Sequence, residues 1–360
     1  MSTTDTDAGA TQEEVEAFLG QVATDAAATF HAATIVLGDK LGLYTALADG
    51  GPATPAELAG RTGCDARYLQ EWLNAQVASG YASHDAASGR YSLSPAQAIV
   101  LADETSPAFG AGLFSVAAVC IKDEERLVRD AVRAGVGVGW HEHHADLFSG
   151  TERVFKPGYV ANLVQSWIPA LEGVEAKLRA GAKVADIGCG HGASTIVLAQ
   201  AYPEATIVGY DYHPESIEAA RKRAAEAGVA DRVRFEVAGA ADYPGGDYDL
   251  ACIFDALHDM GDPVGAAAHI RQTLKPDGTF LLVEPMAGET LADNVNPIGR
   301  LFYSVGIFVC LANAKSQGGA QELGPQVPEA TWKALLGEAG FTRFRRATET
   351  PFNRVFEARP

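Results

Sequence analysis

From Lys183 to the end of the chain, short apolar runs alternate with helical segments, and this alternation restricts the fold more than any other feature. The runs are KVADIG, TIVGYD, VRFEVA, DLACIFD and TFLLVEP; between them lie STIVLAQAYP, PESIEAARKRAAEAG and PVGAAAHIRQTLKPDG. Strands that are apolar throughout, rather than at every second residue, are covered on both faces. Strand-helix-strand repetition supplies that cover, so the pattern predicts a doubly wound parallel sheet with helices on both sides. The last stretch, FTRFRRATETPFNRVFEARP, departs from the rhythm, and two extended runs joined by TETP predict an antiparallel hairpin at the sheet edge.

The first half has a different pattern. Val15, Phe18, Leu19, Val22, Ala26, Phe30, Ala33 and Leu37 recur at steps of three and four, predicting one long amphipathic helix whose apolar stripe needs a partner. Short helices begun by TPAEL and CDARYLQEWL follow, then a hairpin in which GYASH and RYSLS flank DAASG, together a winged helix. Such a module binds DNA, as in a ligand-sensing regulator, or serves structure and dimerisation. The presumed recognition helix sets Asp65 and Glu71 against Arg67, and the 360 residues carry a net charge of -18 from 28 basic and 46 acidic side chains. That balance repels a phosphate backbone, so a homodimer module and no nucleic-acid partner are expected.

These changes of pattern divide the chain into a polar tail (1–12), a winged-helix and dimerisation domain (13–104), a helical linker and substrate-cap region (105–180) and an α/β domain (181–360). The start lacks the basic residues and apolar run of a signal peptide, and no apolar stretch approaches the ~20 residues of a membrane span. Cys64, Cys120, Cys189, Cys252 and Cys310 are scattered without a CxxC pair. A cytoplasmic protein with reduced thiols and no membrane partner is the expectation.

The turn after the first run, DIGCGHGAST, places Gly188, Gly190 and Gly192 where doubly wound sheets bind ligands. Glycine there permits positive φ and lets a ligand lie against backbone amides. The next strand ends in Asp211, ~20 residues on, where a carboxylate accepts bonds from both hydroxyls of a ribose. An adenosine-type ligand follows. Gly188, Gly190 and Ala193 also satisfy the dinucleotide pattern GxGxxA, so an NAD-dependent oxidoreductase is open on spacing alone. Asp186 tilts the choice, because a carboxylate at the pyrophosphate position suits the cationic amino acid end of S-adenosylmethionine better.

VADIGCGHG, GYDYHPESIEAAR, DLACIFDALHDM and LKPDGTFLLVEP resemble the class I S-adenosylmethionine-dependent methyltransferases over most of residues 183–360. The winged-helix half resembles a bacterial small-molecule subgroup of that architecture. The resemblance implies a Rossmann-like sheet and assigns Asp186, Gly188, Gly190 and Gly192 to the methionine part, Asp211 to the ribose and Tyr212 to the adenine. It extends the cofactor set to Cys189, Ser194, His213, Ser216, Phe254 and Asp255, with Tyr159 closing over the site. Where many members carry an adenine-binding aspartate after the third strand, this chain has Gly239, leaving Ala240, Ala241 or Asp242 to hold the ring.

Methyl transfer from a sulfonium is an in-line displacement, so the protein must align the acceptor and remove its proton. In FDALHDMGDP, His258 and Asp259 lie beyond the fourth strand, and an imidazole with a carboxylate to fix its tautomer suits that task. The pair resembles the HDW of winged-helix O-methyltransferases, with Met260 in place of the tryptophan; a helix cap or cofactor contact is the alternative role. Glu284 is placed to orient or supplement His258. GWHEHH lacks the i, i+4 histidine spacing of a zinc protease, so no metal is expected, and Trp140 and His141 are assigned to the substrate pocket. Phe302, Tyr303 and Phe308, in RLFYSVGIFVCLANA, are candidate lining of an apolar roof. The sequence thus points to methylation, preferentially at oxygen, of a small hydrophobic or aromatic metabolite.

Overall fold

The computed structural model describes residues 9–319 and 321–360. The chain forms two units, divided between Ala118 and Val119. Of the expected tail 1–12, the first eight residues lie outside the described ones, and a helix begins at Gln12.

In the first unit, a capping box between Thr11 and Glu14 starts the helix Gln12–Lys40. Helices Leu43–Gly50, Pro55–Thr62 and Ala66–Ala78 follow, then the hairpin β1 (Ser83–Asp85) and β2 (Arg90–Ser92) and the helix Pro95–Leu101. Ile35, Leu43, Tyr44, Leu47, Leu69, Trp72 and Leu73 form its core. The Trp72 indole donates to the Thr34 carbonyl at 2.8 Å, and the Tyr44 hydroxyl donates to buried Gln76 at 2.7 Å. This grip reaches only the C-terminal part of the long helix, where Ile35 and Gly38 are buried. Phe18, Leu19 and Phe30 are 66%, 62% and 79% exposed, so much of the apolar stripe faces solvent. On the helix Ala66–Ala78, Arg67 is paired with Glu71, which neutralises that cation locally.

The second unit is built on seven strands: β3 (Lys183–Ile187), β4 (Thr206–Asp211), β5 (Val233–Val237), β6 (Tyr248–Phe254), β7 (Leu274–Pro285), β8 (Arg343–Glu349) and β9 (Asn353–Arg359). Their order is β5-β4-β3-β6-β7-β9-β8. The first five are parallel, and β9 runs antiparallel between β7 and β8. The chain winds outward from β3 through β4 to β5, then crosses to β6 on the other side of β3. This reversal opens a crevice beyond the carboxyl ends of β3 and β6. One buried cluster contains Leu198, Ile217, Phe235, Cys252 and Val283; another contains Tyr210, Ile253, Ile270, Phe280 and Phe356.

Two expectations are corrected. The helix read through PVGAAAHIRQTLKPDG ends at Thr273, and β7 begins at Leu274, because Pro276 and Gly278 do not sustain a helix. The 20-residue helical run Pro297–Ser316 is long and apolar enough for a membrane span; Arg300, Asn313 and Lys315 interrupt it as a string of apolar letters. Its Gly306, Val309, Ala312 and Ala314 are buried inside the protein. All five cysteines are free.

Candidate active site

The turn leaving β3 is shaped by Gly188, Gly190 and Gly192, at φ 71°, 51° and 79°. The Gly188 and Cys189 amides both donate to the Tyr210 carbonyl, at 2.8 and 3.0 Å, which ties the turn to β4. Gly192 opens the helix Ala193–Ala201, and a Cβ there would lie 2.7 Å from the Phe235 ring. Around Gly190 there is open space. Its amide donates to Asp211 Oδ2 at 2.9 Å, and the His213 amide donates to Oδ1 at 2.9 Å. Each carboxylate oxygen keeps a lone pair for a ligand hydroxyl. His213 Nδ1 lies 2.8 Å from Ser216 Oγ. After β5 the Ala238 amide donates to the Asp211 carbonyl at 3.0 Å, bringing the loop of Gly239, Ala240, Ala241 and Asp242 alongside.

Beneath the turn, Asp186 presents no surface to solvent. Its Oδ2 accepts from Ser194 at 2.7 Å and Thr195 at 2.6 Å, while Oδ1 has no hydrogen-bond partner. At the end of β6, Asp255 holds φ 51°, a conformation uncommon outside glycine that concentrates at functional sites. Asn353 donates to its Oδ1 at 2.6 Å, and its Oδ2 is buried without a partner. The Tyr159 hydroxyl hydrogen-bonds Asp255 and feels Asp186 and Glu284, while its ring packs 5.3 Å from that of Phe254. Burial pushes the carboxyl of Asp186 up to about 6 and that of Asp259 up to about 7, and lifts Asp211 and Asp255 above their ordinary range. A cation entering among these groups relieves the strain; an anion adds to it.

His258 lies on the 3-10 turn Leu257–Asp259 and is 3% exposed. Its Nδ1 is 2.7 Å from Glu284 Oε2, and Glu284 Oε1 accepts from the Leu257 amide at 3.1 Å. Glu284, fully buried on β7, therefore sets the ring's orientation. Burial alone pulls the imidazole pKa down, but the Glu284 carboxylate, with Cys310 nearby, holds it well above the ordinary value.

The 3-10 turn Trp140–Glu142 is fastened over this region. The Trp140 amide donates to Asn313 Oδ1 at 3.0 Å, and Asn313 Nδ2 donates to the Asp259 carbonyl at 3.0 Å. The His141 ring lies edge-on to Tyr212 at 6.3 Å, while Trp140 packs on Phe148, which packs on His213, each at 5.1 Å. Phe308 packs among Val128, Val138 and Ala312. On the same helix Phe302 is half-buried and Tyr303 is exposed, with its hydroxyl accepting from Asn294 at 3.4 Å. Among the described residues there is no group of three or more side chains able to hold a metal. Asn353, Asn313 and Cys310 were not singled out from the sequence, where isolated amides and a thiol in apolar surroundings carry no spacing signal.

Residues 178–315 match the family described as a methyltransferase domain. The chain carries a methyltransferase domain. Residues 29–103 match the Rv2258c-like winged HTH domain. The 27-O-demethylrifamycin SV methyltransferase of Amycolatopsis mediterranei is 36% identical over 131 residues, 34% of this chain and 48% of that protein. Mouse acetylserotonin O-methyltransferase is 29% identical over 183 residues, 49% of this chain and 43% of that protein. The chain thus spans about half the length of the curated relatives it matches. Among solved structures, the mitomycin 7-O-methyltransferase MmcR superposes with a TM-score of 0.73 at 20% identity, covering 97% of this chain and all of that one. Human N-acetylserotonin methyltransferase in complex with SAM gives 0.70 at 18% identity, covering 100% and 99%. These structures share the overall fold of this chain.

Proposed function

We propose that this protein is an S-adenosylmethionine-dependent O-methyltransferase of a small hydrophobic or aromatic metabolite, working as a cytoplasmic homodimer. The observation that carries the reading is the glycine turn set against buried carboxylates, two of which keep unpartnered oxygens, Asp186 Oδ1 and Asp255 Oδ2. This donor set fits S-adenosylmethionine, with Asp211 for the ribose, the backbone at Gly190 for the methionine part and a negative surround for the cationic centres. A dinucleotide pyrophosphate would add negative charge to the same place, which counts against the oxidoreductase reading. The Arg67–Glu71 pair and the net charge of -18 count against a DNA-binding regulator.

When bound, S-adenosylmethionine supplies an electrophilic methyl group on positively charged sulfur. Glu284 accepts the hydrogen bond from Nδ1–H of His258, leaving Nε2 of the neutral ring as the proton acceptor. His258 Nε2 takes the proton of an acceptor hydroxyl, and Glu284 stabilises the imidazolium that results. The apolar stretch RLFYSVGIFVCLANA supports an apolar acceptor body. Oxygen is favoured over a neutral amine because a hydroxyl needs that base. The relatives named for O-methylation support this choice.

The homodimer reading rests on the exposed stripe of the helix Gln12–Lys40, and the cytoplasmic reading on five free cysteines. The test of the chemistry is single-turnover methyl transfer to a panel of phenols. Product from the wild type and none from His258→Ala is expected; equal product from both would contradict the assignment of the base.

A further inference from the structure

One helix rests across the crevice. Ala145–Asn162 carries Phe148, Glu152, Phe155 and Tyr159 at steps of four, three and four, which places them on one face. That face meets three strand ends. The Phe148 ring lies 5.1 Å from that of His213, just beyond β4, and Glu152 Oε2 lies 2.9 Å from Nδ1 of His191, in the glycine turn after β3. The Tyr159 ring lies 5.3 Å from that of Phe254, the last residue of β6. Close by, Asp186 Oδ1 and Asp255 Oδ2 are buried without a hydrogen-bond partner. A ligand reaches these oxygens only if part of their cover moves.

Glu152 is the odd member of that face, a carboxylate among three aromatic rings. Its side chain is 10% exposed, and Oε2 also accepts from Arg223 at 2.5 Å, on the helix Pro214–Glu226 that follows β4. Burial opposes its ionisation, but His191 and Arg223 outweigh it and hold the carboxyl below its usual range. A buried pair of this kind adds little net stability compared with an apolar side chain of similar volume. It differs from the aromatic contacts in how it parts: water solvates the separated charges, whereas a parted apolar contact exposes surface that water disfavours. A carboxylate at this place suits a contact that opens and recloses. The helix also has a place to bend. Pro157 has no amide for the turn before it, and Asn162 Nδ2 donates to the Gly158 carbonyl at 2.9 Å, a bond outside the helical ladder. A Cβ at Gly158 would have open space, and φ there is not positive, so neither packing nor backbone geometry calls for glycine. Freedom to bend accounts for it. The bend separates Phe148 and Glu152 from Tyr159, whose ring also packs 6.1 Å from that of buried Trp167.

We propose that Glu152 is a positioning residue for the methyl donor, the latch of a gate over its site. The segment from Ala145 to Lys156 swings at Pro157 and Gly158; its closure on His191 and Arg223 fixes the glycine turn and governs entry of S-adenosylmethionine and exit of its product. This rests on the methyltransferase reading and concerns the path to that same site.

The test measures association and dissociation of S-adenosylhomocysteine with the full chain by surface plasmon resonance. Glu152→Gln removes the charge that holds the gate, and both rate constants are expected to rise by about fivefold or more, whereas loss of a ligand contact would raise dissociation alone. Gly158→Ala stiffens the bend, and both rate constants are expected to fall by about threefold or more, with a melting temperature no lower than that of the wild type. Damage to the fold does not move the two variants in opposite directions. Either rate constant failing to rise in Glu152→Gln, or failing to fall in Gly158→Ala, overturns the proposal. A lower melting temperature in Gly158→Ala also overturns it, since the glycine would then be a packing requirement. Failure of the wild type to bind S-adenosylhomocysteine at all is a different result: it overturns the methyltransferase reading, and the gate with it.

Discussion

At the scale of single residues, the proposed chemistry depends on how Glu284 and His258 share one proton. With His258 as the proposed base the ring must be neutral, so turnover is expected to rise as pH passes upward through the ring's pKa, which the carboxylate holds above its ordinary value. Glu284→Gln removes that charge, and the acidic limb of the kcat–pH profile is expected to move to lower pH with a reduced plateau. An unmoved limb would show that another group titrates. His258→Ala is expected to lower kcat by about 10²–10⁴ while S-adenosylhomocysteine affinity, read by calorimetry, is kept. His258 and Glu284 were legible in the sequence because both sit at strand ends facing the crevice. Their pairing was less so: Asp259 adjoins His258 in sequence, yet Glu284, on the neighbouring strand, makes the 2.7 Å contact.

At the scale of elements, the glycine turn separates the needs of folding from those of binding. A Cβ at Gly192 meets the buried Phe235 ring at 2.7 Å, and φ 79° adds strain, so Gly192→Ala is expected to destabilise by about 2 kcal/mol or more in denaturant melts. Gly190 has open space, so Gly190→Ala is expected to cost only about 1 kcal/mol of stability yet at least about tenfold in S-adenosylhomocysteine affinity. Equal losses of stability in the two variants would contradict this division.

The turn leading to His258 carries a pH signature. Asp259 moves from 3.8 to about 7 on folding, so between about pH 4 and pH 7 the folded state holds more protons and stability falls as pH rises. Asp259→Asn removes that term. The ligand-free variant is expected to melt a few degrees above the wild type near about pH 8, with the difference gone by about pH 4. The strands were readable because apolar runs and Gly–Pro punctuation report local structure. The start of β7 was missed because the helical pattern was carried through Pro276 and Gly278, and the apolar helical run 297–316 because tertiary burial decides it.

At the scale of the whole molecule, a net charge of -18 counts against a nucleic-acid partner, and the stripe at Phe18, Leu19 and Phe30 is an exposed apolar surface on one long helix. Sedimentation is expected to give twice the chain mass of 37.8 kDa for the wild type and the chain mass for Phe30→Asp; an unaltered dimer in the variant would place the interface elsewhere. The winged helix was legible from its capping signals and hairpin, and the structure shows its capping boxes at Thr54 and Ser94. Sequence spacing alone did not separate a methyl donor from a dinucleotide; the buried, partly unpartnered carboxylates around the glycine turn favour the methyl donor. The most direct measurement is calorimetric titration of the wild type and Asp211→Ala with S-adenosylhomocysteine and with NADH. Binding of S-adenosylhomocysteine to the wild type alone, and of NADH to neither, is the expected result; binding of NADH, or no binding of S-adenosylhomocysteine, would contradict it.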